Sequence, residues 1–182
     1  GKIWFKSLKP FWSSHSFLMT STISDLNKQL QKLPPKKIAE ICVRIAKHKK
    51  ENKELLDYLL NESDDEDGFR EKIKAETEQQ FQDMNRSNLY LAKKSLRKIL
   101  RMINKNCRFS GNKETEAILL IHFCKTLKAS DIPYYDSQVL INMYANQQKK
   151  IATAISKLHE DLQFDFQKEL ESMWLIDLNW NL

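Results

Sequence analysis

Residues 86–108, RSNLYLAKKSLRKILRMINKNCR, constrain the fold more than any other segment. They carry eight basic side chains and no acidic one. Apolar residues recur through this segment at helical spacing, which predicts an amphipathic helix with one side in a core. These residues are Leu89, Ala92, Leu96, Ile99, Leu100 and Ile103. A second stripe, on another side of the same helix, is cationic. It consists of Lys94, Arg97, Lys98, Arg101 and Lys105.

Tyr90 falls within the cationic arc of this helix. An aromatic ring among cations can stack on a nucleic-acid base, and it can also pack beneath lysine stems. The sequence therefore predicts one candidate site for an anion or a partner. Its residues are Tyr90, Lys94, Arg97, Lys98, Arg101 and Lys105.

The rest of the chain also favours helix. With only three glycines and four prolines in 182 residues, the chain has few of the residues that strand-and-turn folds need. We expect an all-α fold, an irregular bundle or stack of about seven helices in antiparallel hairpins. Residues 114–128 are apolar nearly all round, which places that helix at the centre of the bundle.

Three segments differ in composition. Residues 1–18 are basic and aromatic and contain no acid. They are interpreted as an N-terminal extension that is either non-native or docked on the body, with an organelle transit segment as a further alternative. Residues 19–174 are predicted to form a single helical domain. Residues 175–182 form an apolar C-terminal tail.

The net charge of +6 is distributed in blocks. Residues 51–83 carry 4 basic and 12 acidic side chains, whereas residues 84–130 carry 11 basic and 2 acidic ones. Helices of opposite charge can neutralise each other within one fold, which is one interpretation of the basic helix. The other is that its cationic side stays open to an anionic partner.

The motifs of catalysis and metal binding are missing from the sequence. It has no glycine-rich phosphate loop, no Gly-x-Ser-x-Gly and no His-Glu-x-x-His. None of the four histidines has a glutamate three positions before it, as a di-iron bundle requires. The acidic run at residues 62–67, ESDDED, lacks EF-hand spacing and is interpreted as a solvated loop. We expect no enzyme, no metal and no cofactor.

The order of several segments resembles a family of bacterial all-helical proteins of unknown function. The matching segments cover about residues 21–173 and are SDLNKQLQKLPPKKIAEI, FREKIKAETEQQF, LAKKSLRKIL, DIPYYDS and the MY pair at Met143 and Tyr144. The chain departs from the family at residues 83–86, where a loop with proline and glycine is missing. The resemblance implies a bacterial cytosolic helical domain and supplies no activity.

Function is therefore expected to be non-enzymatic. The first hypothesis is a helical interaction module that binds a protein partner, and the alternative is binding of a nucleic-acid phosphate backbone through the basic helix 86–108. A membrane surface is a weaker third hypothesis. Three cysteines at wide spacing, Cys42, Cys107 and Cys124, suggest reduced thiols and a cytoplasmic location.

Overall fold

The computed structural model describes residues 21–86 and 88–174, so the predictions for residues 1–18 and 175–182 lie outside the described residues. Those ranges contain eight α-helices, a short 3-10 helix and no strand, which confirms the predicted all-α fold class. No described helix is long and apolar enough to cross a membrane. The helices are α1 (Ile23–Leu30), α2 (Pro35–His48), α3 (Lys50–Asn61), α4 (Glu66–Gln82), α5 (Leu89–Ser110), α6 (Lys113–Ala129), α7 (Gln138–Ile155) and α8 (Glu160–Trp174), with the 3-10 helix at Tyr134–Asp136.

Helix α6 lies at the centre of the bundle, as its sequence predicted. It packs against α4, α5 and α7, and the Phe123 ring lies 5.7 Å from the Phe81 ring of α4. Hydrophobic burial on several sides holds the four helices together. The buried residues of α6 are Thr115, Ala117, Leu119, Leu120, Ile121, Phe123, Cys124 and Leu127.

Helix α5 has well-defined ends. The Asn88 side chain accepts a hydrogen bond from the backbone N–H of Leu91 at 2.9 Å, which caps the N-terminus. Gly111, with φ of 66°, ends the helix in the left-handed conformation that glycine adopts without steric cost. The predicted apolar stripe lies in the core at Ala92, Leu96, Ile99, Leu100 and Ile103, so the opposite side of α5 faces outward.

Helices α1 and α2 carry apolar side chains that do not enter the core. Thr22 and Asp25 form a capping box at α1, yet neither α1 nor α2 contains a buried residue. Ile23 is 82% exposed and Ile45 is 55% exposed. The reason is that α2 packs mainly against α3, whose own outer side is also exposed at Leu60.

Most of the acidic run at residues 62–67 is the solvated loop that the sequence suggested, because residues 62–65 connect α3 to α4 and residues 63–65 and 67 are exposed. Asp65 caps α4 by accepting a hydrogen bond from the N–H of Gly68 at 2.9 Å, and α4 already begins at Glu66. Carboxylates in the first turn of a helix are favoured by the helix dipole. The end of this run therefore starts α4, while most of the run faces water.

Glu66 joins four helices through its carboxylate. It accepts hydrogen bonds from Ser110 Oγ of α5, from Thr115 Oγ1 of α6 at 2.6 Å and from Tyr58 OH of α3 at 3.0 Å. Arg70 Nε donates to the same Thr115 oxygen at 2.8 Å. Burial by itself would raise the pKa of Glu66, but the three hydrogen bonds and the charge of Arg70 together lower it below its usual value.

The network predicts an acid-sensitive fold. Because the folded-state pKa of Glu66 is lowered, its contribution to stability is present above the ordinary carboxyl pKa and is lost as the pH falls through the folded-state value. Glu66→Gln is expected to reduce the free energy of unfolding at pH 7 by about 1–3 kcal/mol and to flatten its dependence on acid. Urea titrations between pH 7 and 3 measure both effects. Asp64→Asn, at an exposed position of the same run, is the control, and equal losses in the two variants would contradict the role of Glu66.

Candidate anion-binding surface

The outward side of α5 is a row of cations on successive turns. Lys94, Arg97, Lys98 and Arg101 are all exposed, and we call these four residues the α5 cation row. Tyr90, one turn before Lys94, is 73% exposed. A surface groove of about 530 Å³ runs along this side. Its lining residues are Tyr90, Lys94, Arg97, Leu100, Arg101 and Asn104.

Among the described residues, acidic side chains pair with the cations at the C-terminal end of this helix. Lys105 Nζ lies 2.7 Å from Glu54 Oε2, and Arg108 Nη2 lies 2.9 Å from Glu51 Oε1. Both glutamates belong to α3, within the acidic block that the sequence identified. Lys105, one of the six predicted site residues, is therefore already paired and lies 5.9 Å from the Phe109 ring centre.

The α5 cation row has a different environment. Within residues 21–86 and 88–174, no carboxylate lies within 4.0 Å of the charged groups of these four side chains, and none of them donates a hydrogen bond. At Arg86, before the row, Nη1 lies 3.9 Å from Asp131. The opposite charge blocks thus meet at the end of α5 and leave its middle open to solvent.

The open row carries a local electrostatic cost. Lys94 and Lys98 are four positions apart, as are Arg97 and Arg101, so like charges neighbour each other on the helix surface. Each such pair destabilises a helix by about 0.2–0.5 kcal/mol. A bound polyanion would replace this repulsion with attraction, which makes the row suited to an anionic partner.

A second cationic patch, which we did not predict from the sequence, lies beside the first. Lys150 Nζ of α7 donates to Asn104 Oδ1 of α5 at 3.0 Å. Lys149 and Lys157 line a groove of about 210 Å³. Lys113 and Glu116 of α6 also line it and pair with each other at 2.6 Å, so the unpaired positive charge of the groove comes from the lysines of α7. We call Lys149, Lys150 and Lys157 the α7 lysine groove. These three lysines lie on or just after α7, and the sequence does not show that they lie beside α5, because that proximity depends on the tertiary contact between Lys150 and Asn104.

The basic side of α2 is also exposed. Lys36, Arg44 and Lys47 border a shallow groove whose floor includes Ala39 and Val43. Lys37 pairs with Glu40 on the same helix at 3.1 Å, where both side chains are more than half exposed, and an ion pair of that kind contributes little to stability. This surface is cationic at its rim and apolar along its floor.

Burial shifts the pKa of two titratable groups on α5 and α6, Cys107 and His122. Burial raises the pKa of the Cys107 thiol to about 12, so this thiol is protonated and a poor nucleophile at neutral pH. Burial also lowers the pKa of His122, although Glu78 Oε1 lies 3.2 Å from its Nε2. Among the described residues, no three His, Cys, Asp or Glu side chains are grouped closely enough to hold a metal ion.

No protein-family model, curated protein or solved structure matches this chain. The resemblance to a bacterial helical family therefore stays a prediction, and function is argued from the geometry of the chain itself.

Proposed function

We propose that this chain is a non-enzymatic helical binding module that holds the phosphate backbone of a nucleic acid on the α5 cation row. One observation carries the proposal. The end of α5 is paired with Glu51 and Glu54 of α3, whereas the α5 cation row is exposed with no acidic partner among the residues described. Because of this difference we propose nucleic acid as the first candidate, although the sequence favoured a protein partner.

Release of counterions would provide the affinity of this surface for a nucleic acid. Each phosphate that a lysine or arginine neutralises frees a condensed cation, and the binding constant then depends steeply on salt. The side chains of the row are Lys and Arg, which contact phosphates readily. The neighbouring amide of Asn104 is already bonded to the Leu100 carbonyl and to Lys150. We therefore expect binding that depends little on base sequence.

Fluorescence anisotropy with a labelled 20-nucleotide strand and a 20-base-pair duplex tests the proposal. If four phosphates are neutralised, the affinity is expected to fall by about 50- to 150-fold between 50 and 200 mM KCl. Absence of binding to both probes at 50 mM KCl would contradict the proposal. The cytoplasmic location is part of the same proposal and is supported by the three free thiols, Cys42, Cys107 and Cys124.

A protein partner remains the second candidate because α1–α3 expose apolar side chains. Leu26, Val43 and Leu60 are 44%, 49% and 72% exposed, and large apolar side chains at a protein surface can form part of an interaction site. Substituting Leu26 and Val43 by serine is expected to abolish capture of such a partner while leaving the free energy of unfolding within about 0.5 kcal/mol. Capture that survives in this variant would exclude this surface.

A further inference from the structure

We infer that the nucleic acid on this surface is a single strand. One of its bases stacks on Tyr90, and its backbone runs along the α5 cation row and on to the α7 lysine groove. The inference rests on the proposed function and adds the class of nucleic acid and the path that it takes. The exposed ring of Tyr90 supports the class of nucleic acid, and the hydrogen bond between Lys150 and Asn104 supports the path.

The Tyr90 ring is outside the hydrophobic core and 73% exposed. It precedes Lys94, Arg97 and Arg101 by four, seven and eleven residues, so all four side chains share one side of α5 and border the same groove. The faces of the bases in a duplex are covered by their neighbours. A single strand offers free base faces. Proteins that bind single strands without sequence preference stack these bases on aromatic rings that lie next to cations.

The cationic surface extends beyond α5 onto α7. From Tyr90 to Asn104 the helix rises about 21 Å, and from Lys149 to Lys157 it rises about 12 Å. The hydrogen bond from Lys150 to Asn104 makes these two cationic surfaces adjacent. A nucleic acid that passes from the surface of α5 to that of α7 must change direction over a few nucleotides. A single strand does so easily, whereas a duplex is stiff over about 150 base pairs.

The first test compares strand types at equal salt. Labelled dT20 and a 20-base-pair duplex are titrated with the folded chain and with Tyr90→Ala, Tyr90→Phe and Tyr135→Ala. Tyr135, at 57% exposure outside the groove, is the matched control. We expect dT20 to bind more tightly than the duplex. Tyr90→Ala should weaken dT20 binding by about 5- to 100-fold, while Tyr90→Phe and Tyr135→Ala should leave it nearly unchanged.

The second test follows the path across α7. Lys149, Lys150 and Lys157 are replaced together by glutamine, and Lys28, Lys53 and Lys168, which are exposed on α1, α3 and α8, form the control set. The α7 variant should weaken dT20 binding by at least tenfold but affect dT6, which α5 alone can hold, by less than twofold. The control set should change neither by more than about twofold.

The outcomes separate the inference from the proposed function. Equal binding of strand and duplex, with no effect of Tyr90→Ala, would overturn the inference and leave phosphate-backbone binding intact. Absence of binding to both probes at 50 mM KCl would overturn both. Displacement of dT20 by an equal concentration of a poly-glutamate peptide would also overturn the inference, because it would assign the surface to an acidic protein segment. Circular dichroism of each variant verifies that the helices are retained.

Discussion

Replacing all four members of the α5 cation row by glutamate is expected to reduce affinity for the 20-nucleotide strand at least a hundredfold at 50 mM KCl. Sequence-independent binding is almost entirely electrostatic, so reversing these charges converts each phosphate attraction into repulsion. The substitutions keep like charges at the same helical spacing, and the repulsion within α5 is therefore similar in both proteins. Anisotropy titrations measure the affinity, and circular dichroism measures the helix content.

The control for this experiment has the same change in net charge at other sites. Lys28, Lys32, Lys53 and Lys168 are exposed and none belongs to an ion pair among the described residues. Their replacement by glutamate alters the long-range field of the protein but leaves the α5 cation row intact. Affinity should then fall far less than in the α5 variant. An equal loss in both variants would show that net charge, and no particular surface, governs binding.

Phe123→Ala is expected to lower the free energy of unfolding by about 3–5 kcal/mol, the cost of removing a large side chain from a close-packed interior. Phe123 is 0% exposed, and its ring packs near Phe81 at a centroid distance of 5.7 Å. Since α6 contacts α4, α5 and α7, a cavity at this position weakens the whole bundle. Urea denaturation followed by circular dichroism measures the loss.

Phe164→Ala makes the same chemical change on the outside of α8. The Phe164 side chain is 64% exposed, so its removal leaves no cavity and should change the free energy of unfolding by less than about 0.5 kcal/mol. A loss at position 164 as large as that at 123 would contradict the placement of α6 at the centre of the fold.

The features predicted from sequence are those that a single helix determines. The apolar residues of 114–128 have too little polar surface for an exposed helix, so their central position could be inferred from composition. The two stripes of residues 86–108 follow from helical spacing, and the structure separates them into a buried side at Leu96 and an exposed side at Arg97. Lys105 is the exception in the cationic stripe because it pairs with Glu54. The position of these two stripes on different sides of the helix can be predicted without knowing which other helices pack against it.

The features that the sequence could not predict depend on which helices meet. Ile23 and Leu26 have the spacing of a core stripe, but periodicity does not show whether a neighbour is available to cover it. Glu66 looks like part of a solvated run until Ser110 and Thr115 are brought against it. The partial neutralisation of α5 depends in the same way on the position of Glu54.

The salt dependence of binding tests the central claim most directly. The binding constant for the 20-nucleotide strand is measured at several KCl concentrations, and its logarithm is plotted against the logarithm of the KCl concentration. The slope is compared between the unmodified chain and the variant in which glutamine replaces Lys94, Arg97, Lys98 and Arg101. The loss of four phosphate contacts should reduce the magnitude of the slope by about 3. An unchanged slope would mean that the α5 cation row does not contact the nucleic acid.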